Sequence, residues 1–182
     1  MHPQNLLRMT KSSEQCIAKM IKAIIFDLDG TLVNIPIDYE KLFRRIRSII
    51  KVDDVRPLAN SISRVDEDTR KHVFGVWEEA ELAVSKQITA NKEGIKTYRE
   101  FADKPKALVT LQGKKVVKLI LEQVGLSFDF IVTREDTLSR IDQLKKAAEN
   151  LNTQCTNLLF VGNTNNDFIA ADKLGCQFLK IE

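Results

Sequence analysis

From residue 106 onward the chain repeats one pattern, a short apolar run followed by a segment with apolar residues on one helical face. The runs are KALVTL (106–111), FDFIVT (128–133), NLLFVG (157–162) and CQFLKI (176–181). Between them lie three helical segments. Gly113 to Val124 carries Val116, Val117, Ile120, Leu121 and Val124 on one face, with Gly125 placed to stop it. Ile141 to Leu151 turns Ile141, Leu144, Ala148 and Leu151 inward, and Asn166 to Leu174 is stopped by Gly175. Strands and helices alternating on so short a period leave few folds open. Right-handed crossovers join parallel neighbours, and the helices cover both faces of one sheet. An earlier run, IKAIIF (21–26), is rich in isoleucine and bounded by an acid and glycine, which suits a strand buried on both faces. Alone it has no partner, so it must join the same sheet.

The stretch between the first run and the second shows no strand signal. DYEKLFRRIRSIIK (38–51) has Leu42, Phe43, Ile46, Ile49 and Ile50 at helical spacing, with Asp38 as the N-cap after Pro36. Pro57 stands near the start of a short helix over 55–63. Residues 66–90 read as one long helix with acids in its first turn and a buried stripe of Val73, Val76, Trp77, Ala80, Val84, Gln87 and Ile88. The prediction is an α/β fold: a three-layer parallel sheet, Rossmann-like in its core, with a small all-helical cap inserted after the first strand. The core takes residues 20–33 and 101–182, and the cap takes 34–100. Residues 1–19 are polar and mixed and lack the continuous apolar segment of a signal peptide, so they read as an N-terminal extension outside the fold. Met9 and Met20 are both possible starts.

Composition narrows the function classes. The formal charge of +3 over 182 residues is too small to argue for nucleic acid, and no apolar stretch approaches the ~20 residues that span a bilayer. Cys16, Cys155 and Cys176 are sparse and odd in number, with no CxxC spacing. Zinc ligation is disfavoured, and a reduced cytoplasmic compartment is expected. A Cys155–Cys176 bridge is the alternative to two buried thiols, and buried thiols are the favoured reading.

In an open parallel sheet, chemistry gathers at the carboxyl ends of the strands. Strand one ends in Asp27-Leu28-Asp29-Gly30-Thr31, the run at 106–111 ends near Thr110, and the run at 157–162 leads into Gly162-Asn163-Thr164-Asn165-Asn166-Asp167. Three carboxylates, a threonine and several amides therefore converge on one edge.

These residues resemble the haloacid dehalogenase-like superfamily, mostly phosphatases, over residues 21–182. DLDGTLV matches the family's opening motif in full. ALVT at Thr110 matches its second motif, and VGNTNND matches its acidic fourth motif in part. The resemblance implies phosphoryl transfer, which needs a nucleophile, a cation, donors to the equatorial oxygens and an acid for the leaving oxygen. Asp27 would attack phosphorus and form an aspartyl-phosphate. Asp29 would protonate the leaving oxygen and then deprotonate the hydrolytic water. Thr110, Leu111 through its backbone, and Arg140 would hold the phosphoryl oxygens. Mg²⁺ would sit on Asp27, the Asp29 carbonyl, Asn163 and Asp167. The acid at Asp29 favours phosphate esters over carbon–halogen bonds.

The match departs from the family in three places. Asn163 stands where an acid is common. Arg140, in TLSRIDQLKK, stands for the usual Lys-Pro, with Lys145 and Lys146 a turn deeper and solvated. Leu111 follows Thr110 where asparagine is frequent. Asp38, Tyr39, Arg44, Arg45 and Arg47 are the cap's polar candidates for touching substrate. The reading that follows is a Mg²⁺-dependent phosphatase acting on a small phosphorylated metabolite. The alternatives are a phosphatase-like binding or regulatory protein with weak turnover, and a phosphomutase.

Overall fold

The computed structural model describes residues 21–182, and the expectations for residues 1–19, Met9 and Met20 lie outside them. The chain opens on β1 (Ala23–Phe26), all four residues of which are buried. It then leaves the sheet through β2 (Val33–Asn34) and helices α1 (Tyr39–Ile50), α2 (Leu58–Ser63) and α3 (Glu67–Ala83). A two-residue strand, β3 (Thr89–Ala90), pairs antiparallel with β2, and α4 (Lys92–Glu100) follows. The alternating part comprises β4 (Lys106–Val109), α5 (Lys114–Val124), β5 (Phe130–Val132), α6 (Arg140–Asn150), β6 (Leu158–Gly162), α7 (Asn165–Leu174) and β7 (Gln177–Lys180). Gly125 and Gly175 end α5 and α7 in the left-handed conformation, as expected.

The main sheet has the order β5-β4-β1-β6-β7, and every pairing in it is parallel. β1 is therefore central, between β4 and β6. Its period-2 alternation splits the core into two layers. Ile24 and Phe26 face one way, onto Val116, Val117, Ile120 and Leu121 of α5. Ala23 and Ile25 face the other, with Leu144, Ala147 and Ala148 of α6 and Ala170 and Ala171 of α7. This is the three-layer parallel α/β fold predicted above.

The inserted helices have an apolar cluster of their own. Leu42, Ile46, Val55, Ile62, Val73, Val76 and Trp77 pack together, and Leu111 and Leu138 from core loops join them. Asp38 caps α1, its side chain accepting from the Lys41 N–H. The long helix expected over 66–90 ends at Ala83. Ser85–Gln87 form a 3₁₀ turn, and Thr89–Ala90 are a strand where none was expected. Helical periodicity carries no information about a strand whose partner, Val33–Asn34, lies far back in the sequence. The predicted stripe holds at Val73, Val76 and Trp77, but Gln87 is exposed and Glu81, read as outside the stripe, is fully buried. Ile95 and Tyr98 of α4, with Phe101, pack against the sheet cluster, and the Tyr98 ring centroid lies 5.7 Å from that of Phe26.

Cys155 and Cys176 are free thiols. Burial, with Cys155 adding to it, pushes the Cys176 thiol up to about 12. No helix among the described residues is long and apolar enough to cross a membrane.

Candidate active site

The β1 ladder runs one residue past the strand, with the Asp27 N–H donating to the Val161 carbonyl at 2.9 Å. The chain then turns sharply. The Leu28 carbonyl accepts from the N–H groups of Thr31, Leu32 and Val33, and the Gly30 N–H donates to the Val33 carbonyl at 2.7 Å. Gly30 sits at φ +79°, and a Cβ there would stand 1.9 Å from Nδ2 of Asn163. Glycine is thus required twice, by the left-handed backbone and by the close approach of Asn163.

The Asp27 carboxylate is buried at the centre of the strand ends. Its Oδ1 accepts from Nη2 of Arg140 at 2.8 Å, and its Oδ2 accepts from the Thr31 hydroxyl at 3.2 Å. Arg140 opens α6 immediately after the N-cap Ser139. Its Nη1 donates to the Val109 carbonyl at 3.0 Å and to Gln143 Oε1 at 2.8 Å. Its Nε lies 2.9 Å from Oδ1 of Asp167. The planar fork of a guanidinium reaches all four acceptors at once, which a lysine ammonium could not do.

Asp167 is fully buried and serves two neighbours. Its Oδ2 accepts from the Thr164 N–H at 3.0 Å and the Thr164 hydroxyl at 2.6 Å, completing a capping box for α7. Its Oδ1 faces Arg140 as an ion pair without an aligned hydrogen bond. Asp167 therefore gives one oxygen to the start of α7 and turns the other to Arg140.

Burial raises the Asp27 carboxyl to about 7. Arg140 opposes that shift, and the neighbouring Asp167 charge adds to it. Asp29 is also shifted up by burial, against hydrogen bonds to its charged form. Its Oδ1 accepts from the Ile35 N–H at 2.9 Å and its Oδ2 from the Tyr39 hydroxyl at 3.2 Å. Tyr39, the first residue of α1, thus reaches the Asp29 carboxylate from the inserted helices. Of the other polar cap candidates, Asp38 caps α1, Arg45 pairs with Glu79 at the surface, Arg47 donates to the Asp53 carbonyl, and Arg44 is exposed.

At the end of β4, Thr110 is fully buried and its hydroxyl donates to Oε1 of Gln112. Any ligand oxygen using that hydroxyl must displace Gln112. Gln143 ties this loop to the rest, since its Nε2 donates to the Thr110 carbonyl at 2.7 Å while its Oε1 accepts from Arg140. The Leu111 side chain packs into the helical cluster. Asn163 touches the centre through Thr31, whose hydroxyl lies 3.4 Å from Asn163 Oδ1. Lys145 and Lys146 are exposed.

The structure thus brings Asp27, Arg140 and Asp167 into direct contact, with Asn163 and Thr110 one link away through Thr31 and Gln143, while the Asp29 carboxylate turns to Ile35 and Tyr39. Thr31, Gln112 and Gln143 were not anticipated as contacts, and Tyr39, one of five polar cap candidates, is the one that reaches a predicted site carboxylate. Thr31 stands in the quoted DLDGT motif, and Gln143 lies three residues after Arg140, on the same helical face. Gln112 carries no comparable signal.

Among the described residues no group of three or more His, Cys, Asp or Glu side chains gathers as a metal site. The oxygens of Asp27 and Asn163, with the buried Asp167 Oδ1 that has no aligned donor, nevertheless fit a small hard cation. The set contains no thiolate or imidazole, which argues against zinc.

A model of the family described as haloacid dehalogenase-like hydrolase matches residues 24–181. No curated protein matches the sequence. Several solved structures share the fold. A haloacid dehalogenase-like family hydrolase from Streptococcus pneumoniae is 20% identical, with a TM-score of 0.67 over 90% of this chain and 86% of that one. A hydrolase from Pseudomonas syringae is 17% identical, with a TM-score of 0.66 over 87% and 82%. A predicted phosphoglycolate phosphatase from Haemophilus somnus is 20% identical, with a TM-score of 0.62 over 88% and 85%.

Proposed function

Because the chain belongs to the haloacid dehalogenase-like hydrolases, we propose that it is a Mg²⁺-dependent phosphatase that hydrolyses a small phosphorylated metabolite through an aspartyl-phosphate. The supporting observation is the Arg140 guanidinium set between the buried carboxylates of Asp27 and Asp167, with Asp29 two residues beyond the first. Ionised Asp27 attacks phosphorus, and the bond to the leaving oxygen breaks. Arg140 keeps the attacking carboxylate oriented and offsets its charge. Asp29, whose raised pKa favours holding a proton, gives that proton to the leaving alkoxide and then removes one from the water that attacks the acyl-phosphate. Asp27, the Asp29 carbonyl, Asn163 and Asp167 would hold magnesium, which supplies positive charge to the phosphoryl oxygens. Thr110 and the Leu111 backbone would take those oxygens once Gln112 has moved aside.

A panel of phosphate esters with and without Mg²⁺ tests the reading. Small phosphorylated acids come first, because a relative of the same fold is named for phosphoglycolate. Release of inorganic phosphate that depends on Mg²⁺ is the expected result. No release from any ester at saturating Mg²⁺ would overturn the reading in favour of a phosphatase-like binding protein. That second reading is favoured by the amide at Asn163 and by the Thr110 hydroxyl already being bonded within the protein.

Restoring the acid with Asn163→Asp adds an anionic oxygen beside Thr31 and Gly30. At ~4 Å and an effective dielectric of ~20 its attraction to a unit positive charge is about 4 kcal/mol before desolvation. A net gain of about 1.4 kcal/mol would lower the Mg²⁺ concentration for half-maximal activity about tenfold. Magnesium titrations of both proteins check this, and an unchanged or higher requirement in the variant contradicts it.

A further inference from the structure

A second buried charge pair lies outside the chemistry just described. Arg134 follows β5, Glu81 lies on α3, and both side chains are completely buried, 2.6 Å apart. The pair crosses the seam between the inserted helices and the core. On the helical side, Arg134 packs over the Trp77 ring at 4.7 Å and the Phe74 ring at 5.5 Å. On the core side, its Nη1 donates to the Leu111 carbonyl at 3.2 Å. A Cβ at Gly113 would lie 2.6 Å from its Nη2, so glycine there makes room for the guanidinium. Leu111 and Gly113 belong to the loop that follows Thr110, and the Leu111 side chain is itself seated in the cluster of Trp77.

Burying two charges gives little net stability, because desolvation offsets their attraction and an apolar pair of similar volume is often as stable. Such a pair is better explained by what it positions. Here one guanidinium is shared by helix α3 and the 110–113 loop. We propose that Arg134, held by Glu81, is a positioning residue that makes α3 and the 110–113 loop one unit, so that the docking of the inserted helices sets the shape of the loop that receives phosphate. The role in phosphate binding rests on the function proposed above, whereas the mechanical coupling does not.

The test uses the full chain and two variants, Glu81→Leu with Arg134→Met, and Glu81→Gln. The double variant replaces the pair by apolar groups, which preserves folding while removing the hold on Leu111. Hydrogen exchange is followed at the amides of Gln112 and Lys114, with the amides of β4 as reference. Exchange in the loop should quicken about tenfold in both variants while β4 stays protected, as expected from losing a charge-assisted hydrogen bond. The decisive point is that Glu81→Gln, a change on α3, must loosen a loop of the core. Below the melting temperature, kcat/KM should fall in parallel. Loop exchange that is unchanged, or that rises together with β4, overturns the proposal. If the wild type hydrolyses no phosphate ester, the phosphatase reading falls, and the exchange result alone still upholds or overturns the coupling.

Discussion

Asp27→Asn should abolish turnover and, in metal-free protein, make the fold more stable at pH 8. The loss of activity is expected to be at least ~10⁴-fold, because the amide cannot attack phosphorus and no second nucleophile is in place. Beryllofluoride, an acyl-phosphate mimic, should protect the wild type and not the variant. The gain in stability follows from the carboxyl pushed from 3.8 to about 7 by burial. A folded-state pKa above the unfolded value means that the protonated form is favoured in the fold. The contribution of Asp27 is fully present below about 4 and is lost as pH rises through 7. A rise from 3.8 to about 7 corresponds to an upper bound of about 4 kcal/mol at pH 8. At pH 5 less than half of it should remain. Denaturant unfolding of both proteins in a chelator at the two pH values reads the difference. A gain that is equal at pH 5 and pH 8 would show that Asp27 is not held up by burial. Added Mg²⁺ should shrink the gain, because it favours the ionised carboxylate of the wild type.

Arg140→Met should be the most destabilising change in the site. It leaves the carboxylates of Asp27 and Asp167 buried beside each other without their shared cation. Removing one member of a buried charge network costs about 3–5 kcal/mol. For a chain of this size that corresponds to a fall of roughly 10 °C in melting temperature, at about 2–4 °C per kcal/mol. Lowering the pH should narrow the deficit, since protonating Asp27 removes its repulsion with the Asp167 carboxylate. Arg140→Lys should recover part of the stability and little activity, because an ammonium cannot span Asp27, Asp167, Val109 and Gln143 together. A methionine variant as stable as the wild type at pH 8 would show that the bridge contributes nothing net.

Local patterning made much of this architecture readable. Ile24, Ile25 and Phe26 declare a strand buried on both faces, and the alternation after residue 106 leaves one parallel sheet with helices on both sides. Asp27, Thr110 and Asp167 could be placed together because strand ends in such a sheet share one edge. Arg140 is picked out through the family resemblance, as the basic residue standing at the start of a helix where Lys-Pro is usual. The fold and the shared edge need only chain connectivity and the period of the side chains.

What the tertiary structure alone decided involves contacts between residues remote in sequence. Thr89–Ala90 form a strand because Val33–Asn34 are there to pair with it, which no helical period over 66–90 can reveal. Glu81 stands outside the apolar stripe read from sequence, and only the fold buries it against Arg134 from another part of the chain. Tyr39 is one polar residue among several at the start of α1, and only the folded loop shows its hydroxyl on Asp29. Asp167 reads from sequence as a site carboxylate, and only the fold shows that one of its oxygens caps α7 while the other faces Arg140. The physical reason is the same throughout. Periodicity and propensity are local and survive in the bare sequence, whereas a buried charge or a lone polar contact gains its meaning from a partner that only folding supplies.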